Sequence, residues 1–355
     1  MTLDGNFELV NTQASGTITN RGNIQLAGFS LSATEPTTFV NQGHMVLYAA
    51  DLGELSLAGG GTVTLATAYV TTQLRNLDNQ IRGTGNIRKL TQNAGLIEAA
   101  DGVLSVESAG VPATDHTGLF AAAPGGVLEM EAAVTGSGAW RADGGLIHVT
   151  GDVETTGNIE VLHGGSLVVE TQMTGGDLTV DATSTLDVNG VLRIAGNLDF
   201  DGPQLGRWSF ATGAFFETSG GAGAAVGDWD DWQSLEAAGR DLGLIAAGFS
   251  SANFYLPRLI IGPDGHLFLK DGRDNGNRAL DESEAVYVDT LVFSDSLAQL
   301  NLNGIRLYYN HLVGTTSQII DVPVPEPAAS ALVSAIALLA AARSLRRKER
   351  SLAQS

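Results

Sequence analysis

The stretch GGLIHVTGDVETTGNIEVLHGGSLVVETQMTGGDLTVDATSTLDVNGVLRIAGNLDF, residues 144–200, decides the fold. Apolar–polar–apolar triplets recur at Ile147-His-Val149, Ile159-Glu-Val161, Leu178-Thr-Val180, Leu186-Asp-Val188, Leu192-Arg-Ile194 and Leu198-Asp-Phe200, with Leu167-Val-Val169 among them. Side chains alternate across a strand, so each triplet sends two residues to a core and one to water. Turns such as Thr156-Gly-Asn158 and Thr174-Gly-Gly176 divide the triplets, and no helical period intervenes. Three short strands per coil make a solenoid in which each coil buries its neighbour's apolar face. A β-sandwich uses similar turns but longer strands.

Upstream, Asn20-Arg-Gly-Asn-Ile24, Asn41-Gln-Gly-His-Met45 and Asn93-Ala-Gly-Leu-Ile97 share Asn-x-Gly-x-apolar, and the first two lie 21 residues apart. Related turns stand at Asn76–Ile81 and Gly83–Ile87. A period near 20 is that of one β-helix coil. Gly, then Asn, best tolerate corner backbone, and Asn side chains can bond between coils. The stretch from about residue 5 to 200 resembles the β-helical passenger and adhesin-like repeats of exported bacterial proteins. That resemblance implies surface exposure and adhesion, and carries no catalytic residue with it.

The composition agrees. Glycine contributes 45 of 355 residues, charged residues 16% and aromatics 6%, without a collagen period. The net charge is −20; the tail after Pro327 holds five of the 19 basic and one of the 39 acidic residues, leaving −24 on residues 1–327. Such a body repels nucleic acid. With no cysteine there are no disulfides, thiolate nucleophiles or Cys-ligated metals. Met1–Glu8 shows neither a basic n-region nor an apolar h-region. The expectation is a chain truncated inside a repeat, with its secretory signal upstream.

After Asp201 the aromatics concentrate at Trp208, Phe210, Phe215, Phe216, Trp229 and Trp232. Residues 201–320 read as a β-rich C-terminal cap on a 1–200 solenoid, with a short helix over Trp232–Gly239 and strands at Arg258–Ile261, His266–Lys270, Ala285–Phe293 and Ile305–Tyr309. Residues 321–327 read as a linker.

The linker runs into Val324-Pro325-Glu326-Pro327, then fifteen uncharged residues, Ala328–Ala342, then Arg343, Arg346, Arg347, Lys348 and Arg350. The prolines keep the tetrapeptide extended. An apolar run closes its hydrogen bonds as a helix, as a bilayer demands, and a basic cluster stays cytoplasmic. This order resembles the PEP-CTERM sorting signal of exported bacterial proteins. The resemblance implies a transmembrane sorting helix over 328–345, a cytoplasmic tail over 346–355, an exosortase as processing partner, and export to the cell envelope or extracellular matrix. The fold expectation is therefore all-β: a parallel β-helix with a β-rich cap and a C-terminal transmembrane helix.

Two candidate ligand sites stand out. Asp271–Glu282 matches the calcium-loop template at Asp271, Asn275, Gly276 and Glu282, with Asn277 also in reach. Arg273 puts a cation where an oxygen ligand belongs, and a polar hairpin turning at Asn275-Gly276 is the other reading. In Asp228-Trp-Asp-Asp-Trp232, Trp229 and Trp232 offer stacking faces for a glycan, or packing against the last coil. No catalytic set is assigned. A lyase needs cations beside an acidic sugar, but between Gly102 and Gly206 only Arg141 and Arg193 supply them besides histidine. A glycosidase needs a fixed carboxylate pair, and nothing selects one among Asp152, Glu154, Glu160, Glu170, Asp177, Asp181, Asp187, Asp199 and Asp201. Of the scattered histidines, His148 and His163 could meet on neighbouring coils, with solitary solvated histidines as the other reading. The sequence thus points to an exported structural or adhesive protein, with extracellular polysaccharide as a partner. A carbohydrate-active enzyme (polysaccharide lyase or glycosidase) and a calcium-dependent glycan-binding module are the alternatives.

Overall fold

The computed structural model describes residues 7–9, 17–27, 30–33, 37–48, 51–52, 55–107, 110, 112–201, 207–211, 215–218, 220, 229–273 and 284–323. The chain is all-β and winds into a solenoid of about 13 turns. One turn shows the plan. Leu146–Val149, Val153–Thr155 and Ile159–Leu162 occupy three successive faces, and Ser166–Val169 returns to the face of Leu146–Val149, in parallel register beneath it. Val153–Thr155 pairs with Gln172–Gly175, and Ile159–Leu162 with Leu178–Val180, likewise in parallel. For brevity, the face of Ile159–Leu162 is the first, that of Ser166–Val169 the second, and that of Gln172–Gly175 the third.

The predicted triplets are the rungs of these ladders. Ile147, Val149, Ile159, Val161, Leu178, Val180, Leu186 and Val188 all point inward and are buried, as period 2 requires. Each inward residue lies over another one coil away: Ile159 on Leu178 on Leu198, and Leu167 on Leu186 on Trp208. Full burial of one such side chain contributes about 1.5–3 kcal/mol. That gain depends on the neighbouring coil, so stability is shared along the stack.

The Asn-x-Gly repeats mark the corner between the third and first faces. Asn20 Nδ2 donates to Asn41 Oδ1 at 2.8 Å, and Asn41 Nδ2 to the carbonyl of Thr62 at 3.1 Å. Asn76 Nδ2 donates to Asn93 Oδ1 at 2.9 Å. His116 closes this series, 3.3 Å from Asn93 Nδ2, and packs on Phe120 and Trp140. Burial of its imidazole outweighs its backbone hydrogen bonds and holds its pKa below the ordinary value. Two residues on, a glycine column is enforced by close approach. A Cβ on Gly43 would meet the Gly22 carbonyl oxygen at 2.0 Å, and one on Gly118 or Gly157 would meet Gly95 or Gly138 equally closely.

The composition break after Asp201 does not end the coil, which corrects the expected separate cap. Trp208–Phe210 pairs in parallel with Leu186–Val188, Phe215–Thr218 with Val191–Ile194, and His266–Lys270 with Gln233–Glu236. Parallel pairing continues to Ile319–Ile320. Trp208, Phe216 and Trp232 are buried in these coils, and Trp208 lies 4.6 Å from Phe200 and 5.8 Å from Phe254. The helix expected over Trp232–Gly239 is absent. A 3-10 turn, Trp229–Asp231, precedes the strand Gln233–Glu236, which is buried throughout. Sheet pairing on both sides overrides a weak helical preference. The strands expected downstream are present as Tyr255–Ile261, His266–Lys270, Glu284–Phe293 and Arg306–Val313.

In these coils single strands turn the corner between the second and third faces. Successive outward residues, Pro257-Arg258 and Asp289-Thr290, mark the bends. The corner between the first and second faces instead carries insertions: 237–254 in one coil, and in the next the chain leaves this corner after Lys270 and resumes its strand at Glu284. Among the described residues no helix is long and apolar enough to cross a membrane. Val324–Pro327, the apolar segment 328–345 and the basic residues from Arg343 to Arg350 lie outside the described residues.

Candidate functional site

Long connections on one corner of a repeat array are where function concentrates. The corner with the two insertions gathers Asp199, Asp201, Glu236, Lys270, Asp271, Arg273 and Glu284. Glu236 ends its strand beside Lys270 in register. Asp271 follows the strand His266–Lys270, and Glu284 opens the next strand. Carboxylate oxygens of Glu236, Asp271 and Glu284 lie within 4.8 Å of one another. Glu236 is 1% exposed and Glu284 fully buried.

Burial pushes the Glu236 carboxyl up to about 7. The backbone N–H of Arg273 and the charge of Lys270 oppose this, while Asp199 and Asp271 reinforce it. That N–H donates to Glu236 Oε1 at 2.8 Å. Lys270 Nζ sits 2.6 Å from Asp199 Oδ1, and Arg273 Nη1 2.7 Å from Asp201 Oδ2. The arrangement is a carboxyl cluster rimmed by two ion pairs. It can keep a proton near neutral pH, and its oxygens are of the kind that ligate hard cations.

Of the candidate calcium-loop residues, Asp271 belongs to this cluster. Asn275, Asn277 and Glu282 lie outside the described residues, whereas Asp271 meets Glu236 and Glu284. The Arg273 guanidinium, expected to sit at a ligand position, is instead engaged by Asp201 and Asp199. Glu236 stands 35 positions before Asp271 and carries no local motif, so only the coil period could have brought it to notice.

Trp232 follows the packing alternative. It is buried, with Trp229 at 4.9 Å and His266 at 4.7 Å from its ring, and it packs the coil interior. Only Trp229 keeps part of its surface in solvent. His148 and His163 do not form a pair: His148 lies 3.7 Å from Glu170, and His163 2.7 Å from Asp143. The acids weighed for glycosidase chemistry mostly bond between coils. Glu160 takes Arg141 at 2.6 Å, Glu170 takes Asn189, Asp177 takes the N–H of Asn197, and Asp187 takes Ser209.

The insertion 237–254 is riveted to the following coils. Asp241 accepts from Arg306 Nη1 at 2.6 Å and Tyr308 Oη at 2.8 Å, and the N–H of Leu242 donates to Tyr287 Oη at 2.8 Å. Burial raises the pKa of Asp241, but the bonds from Tyr308, the Gly243 N–H and Arg306 outweigh it, and the net direction is down. Tyr287 and Tyr308 stack at 4.8 Å.

No protein-family model matches this sequence, and neither a curated protein nor a solved structure shows significant similarity to it.

Proposed function

We propose that this chain is an exported β-solenoid with a structural or adhesive role at the cell surface or in an extracellular matrix, delivered by a PEP-CTERM-type signal. The observation that carries the reading is the order Val324-Pro-Glu-Pro327, apolar run, basic cluster, placed directly after the last described coil. The coil itself supports it. About 13 turns, with outward acids spent on bonds between coils, make a long regular surface suited to display.

In this reading an exosortase-type enzyme recognises the Pro-Glu-Pro region and the chain is its substrate. As a helix, Ala328–Ala342 would measure about 22 Å, against roughly 30 Å of hydrocarbon. Extension to Leu345 with Arg343 snorkelling narrows the gap. Such a marginal anchor suits a temporary tether. Mass spectrometry of the mature protein should then find a C-terminus near Pro327. An intact Ser355 in the surface fraction would reject the reading. The competing enzyme reading is tested by reducing-end and unsaturated-product assays over neutral and acidic polysaccharides. We expect no turnover; turnover lost on changing Asp187 would replace the structural role with a catalytic one.

A further inference from the structure

We propose that a pocket on the corner between the second and third faces binds a single neutral sugar ring. This deepens the adhesive reading by naming a ligand class, and its test reads binding regardless of how the tail is processed.

The pocket has a volume of about 280 Å³ and is lined by Phe210, Tyr255, Pro257, Arg258, Asp289 and Thr290. Its origin lies in the bends. Pro257 has no N–H to give to the sheet, and the ladder passes from Leu256 opposite Val288 to Arg258 opposite Thr290 without a bridge at Pro257 and Asp289. Successive residues of both strands therefore face out together. Phe210 ends the strand of an earlier coil and is held edge-on by Phe216 at 5.1 Å.

The lining selects by chemistry. Two aromatic rings, Phe210 and Tyr255, offer apolar faces for the C–H face of a pyranose. One guanidinium and one carboxylate cancel in charge, so neither a simple anion nor a simple cation is favoured. Together they bring donors and acceptors to one pocket, as adjacent hydroxyls require. Asp289 is pre-oriented: Asn310 Nδ2 donates to its Oδ1 at 2.9 Å and Thr290 Oγ1 to its Oδ2 at 3.3 Å. Two neutral donors leave a carboxylate with lone pairs to spare. Burial, and then the Asp289 charge, push the Tyr255 phenol upward, so it stays a protonated donor. The volume falls just under the roughly 300–1,000 Å³ of drug-sized sites, which fits one ring and excludes a buried oligosaccharide.

The test is saturation-transfer NMR on the full chain with the methyl glycosides of glucose, galactose and mannose, alongside glycine and phenylalanine as zwitterionic competitors. At least one glycoside should show transfer to its ring protons, with a Kd on the order of 1 mM. Arg258→Ala and Asp289→Asn, both at outward positions, should each weaken it by about tenfold or more, which corresponds to losing one charge-assisted hydrogen bond. Arg82→Ala, on a distant coil where the side chain pairs with Glu98, should leave it unchanged. Absence of transfer from every glycoside, transfer that survives both pocket variants, or transfer confined to the amino acids would each overturn the proposal.

Discussion

Asn76 reaches across one coil to Asn93, Nδ2 to Oδ1 at 2.9 Å, while its own Oδ1 accepts the N–H of Asn79 at 3.0 Å. One buried amide thus fastens its own corner and the next. In Asn76→Ala the N–H of Asn79 and the amide of Asn93 lose a partner in a dry environment. A buried group left unsatisfied costs about 1–3 kcal/mol, so the melting temperature should fall by several degrees. Asn189→Ala removes an exposed bond to Glu170 and should change stability by less than about 0.5 kcal/mol. Paired thermal melts of the two variants check the contrast.

A second expectation follows from the stacking of triplets. Val180 is fully buried and sits in register between Val161 and Phe200. Val180→Asp places a carboxylate where no cation can reach it, and the cost exceeds about 4 kcal/mol. Because coils depend on nearest neighbours, the damage should be local. Amide exchange should accelerate across Ile159–Leu162 and Leu198–Phe200 and stay slow in Thr62–Asn76. Uniform acceleration along the chain would show cooperativity the coil model does not contain.

The parts of this fold legible in the sequence are those whose cause is local. Period 2 in Leu178-Thr-Val180 is a statement about one strand, and Asn41-Gln-Gly43 about one corner. Both follow from backbone geometry within a few residues. The cap was misread because aromatic content after Asp201 changes the filling of the core and leaves the winding intact: Trp208 occupies the same column as Leu186. The carboxyl cluster was illegible for another reason. Glu236 and Glu284 are 48 positions apart, and their meeting depends on the lengths of two insertions that no periodicity fixes. Trp232 beside acids left a glycan face and core packing both open in the sequence; the strand it precedes is covered on both sides, and the side chain packs.

Asp181 gives a test on the acid side. Burial alone would raise its pKa, but bonds from Ser184 Oγ, the His163 N–H, Thr183 Oγ1 and the Thr183 N–H outweigh that and lower it to about 2. A carboxyl whose folded pKa is depressed stabilises the fold above its unfolded value, near 3.9, and loses that contribution as pH falls through about 2. The group is partly solvated, which limits the effect to about 1 kcal/mol. Asp181→Ala should melt lower than the parent at pH 7, and the difference should close towards pH 2.

Glu236 carries the opposite sign. Its folded pKa, near 7, lies above the unfolded value of about 4.3. Between those limits the folded chain holds a proton that the unfolded chain has released. Its contribution is therefore full below about pH 4 and is lost as pH rises through 7. Glu236→Gln keeps the shape and the neutral form, so its melting temperature should decline less than the parent's from pH 5 to 8. The same cluster decides the calcium question. Calcium takes six to eight oxygen ligands, whereas Glu236 is largely protonated at pH 6 and gives Oε1 to the Arg273 N–H. Millimolar calcium should accordingly leave the melting temperature unchanged at pH 6. A calcium-induced rise that disappears in Asp271→Ala would establish an ion site and move the functional reading to a calcium-dependent module.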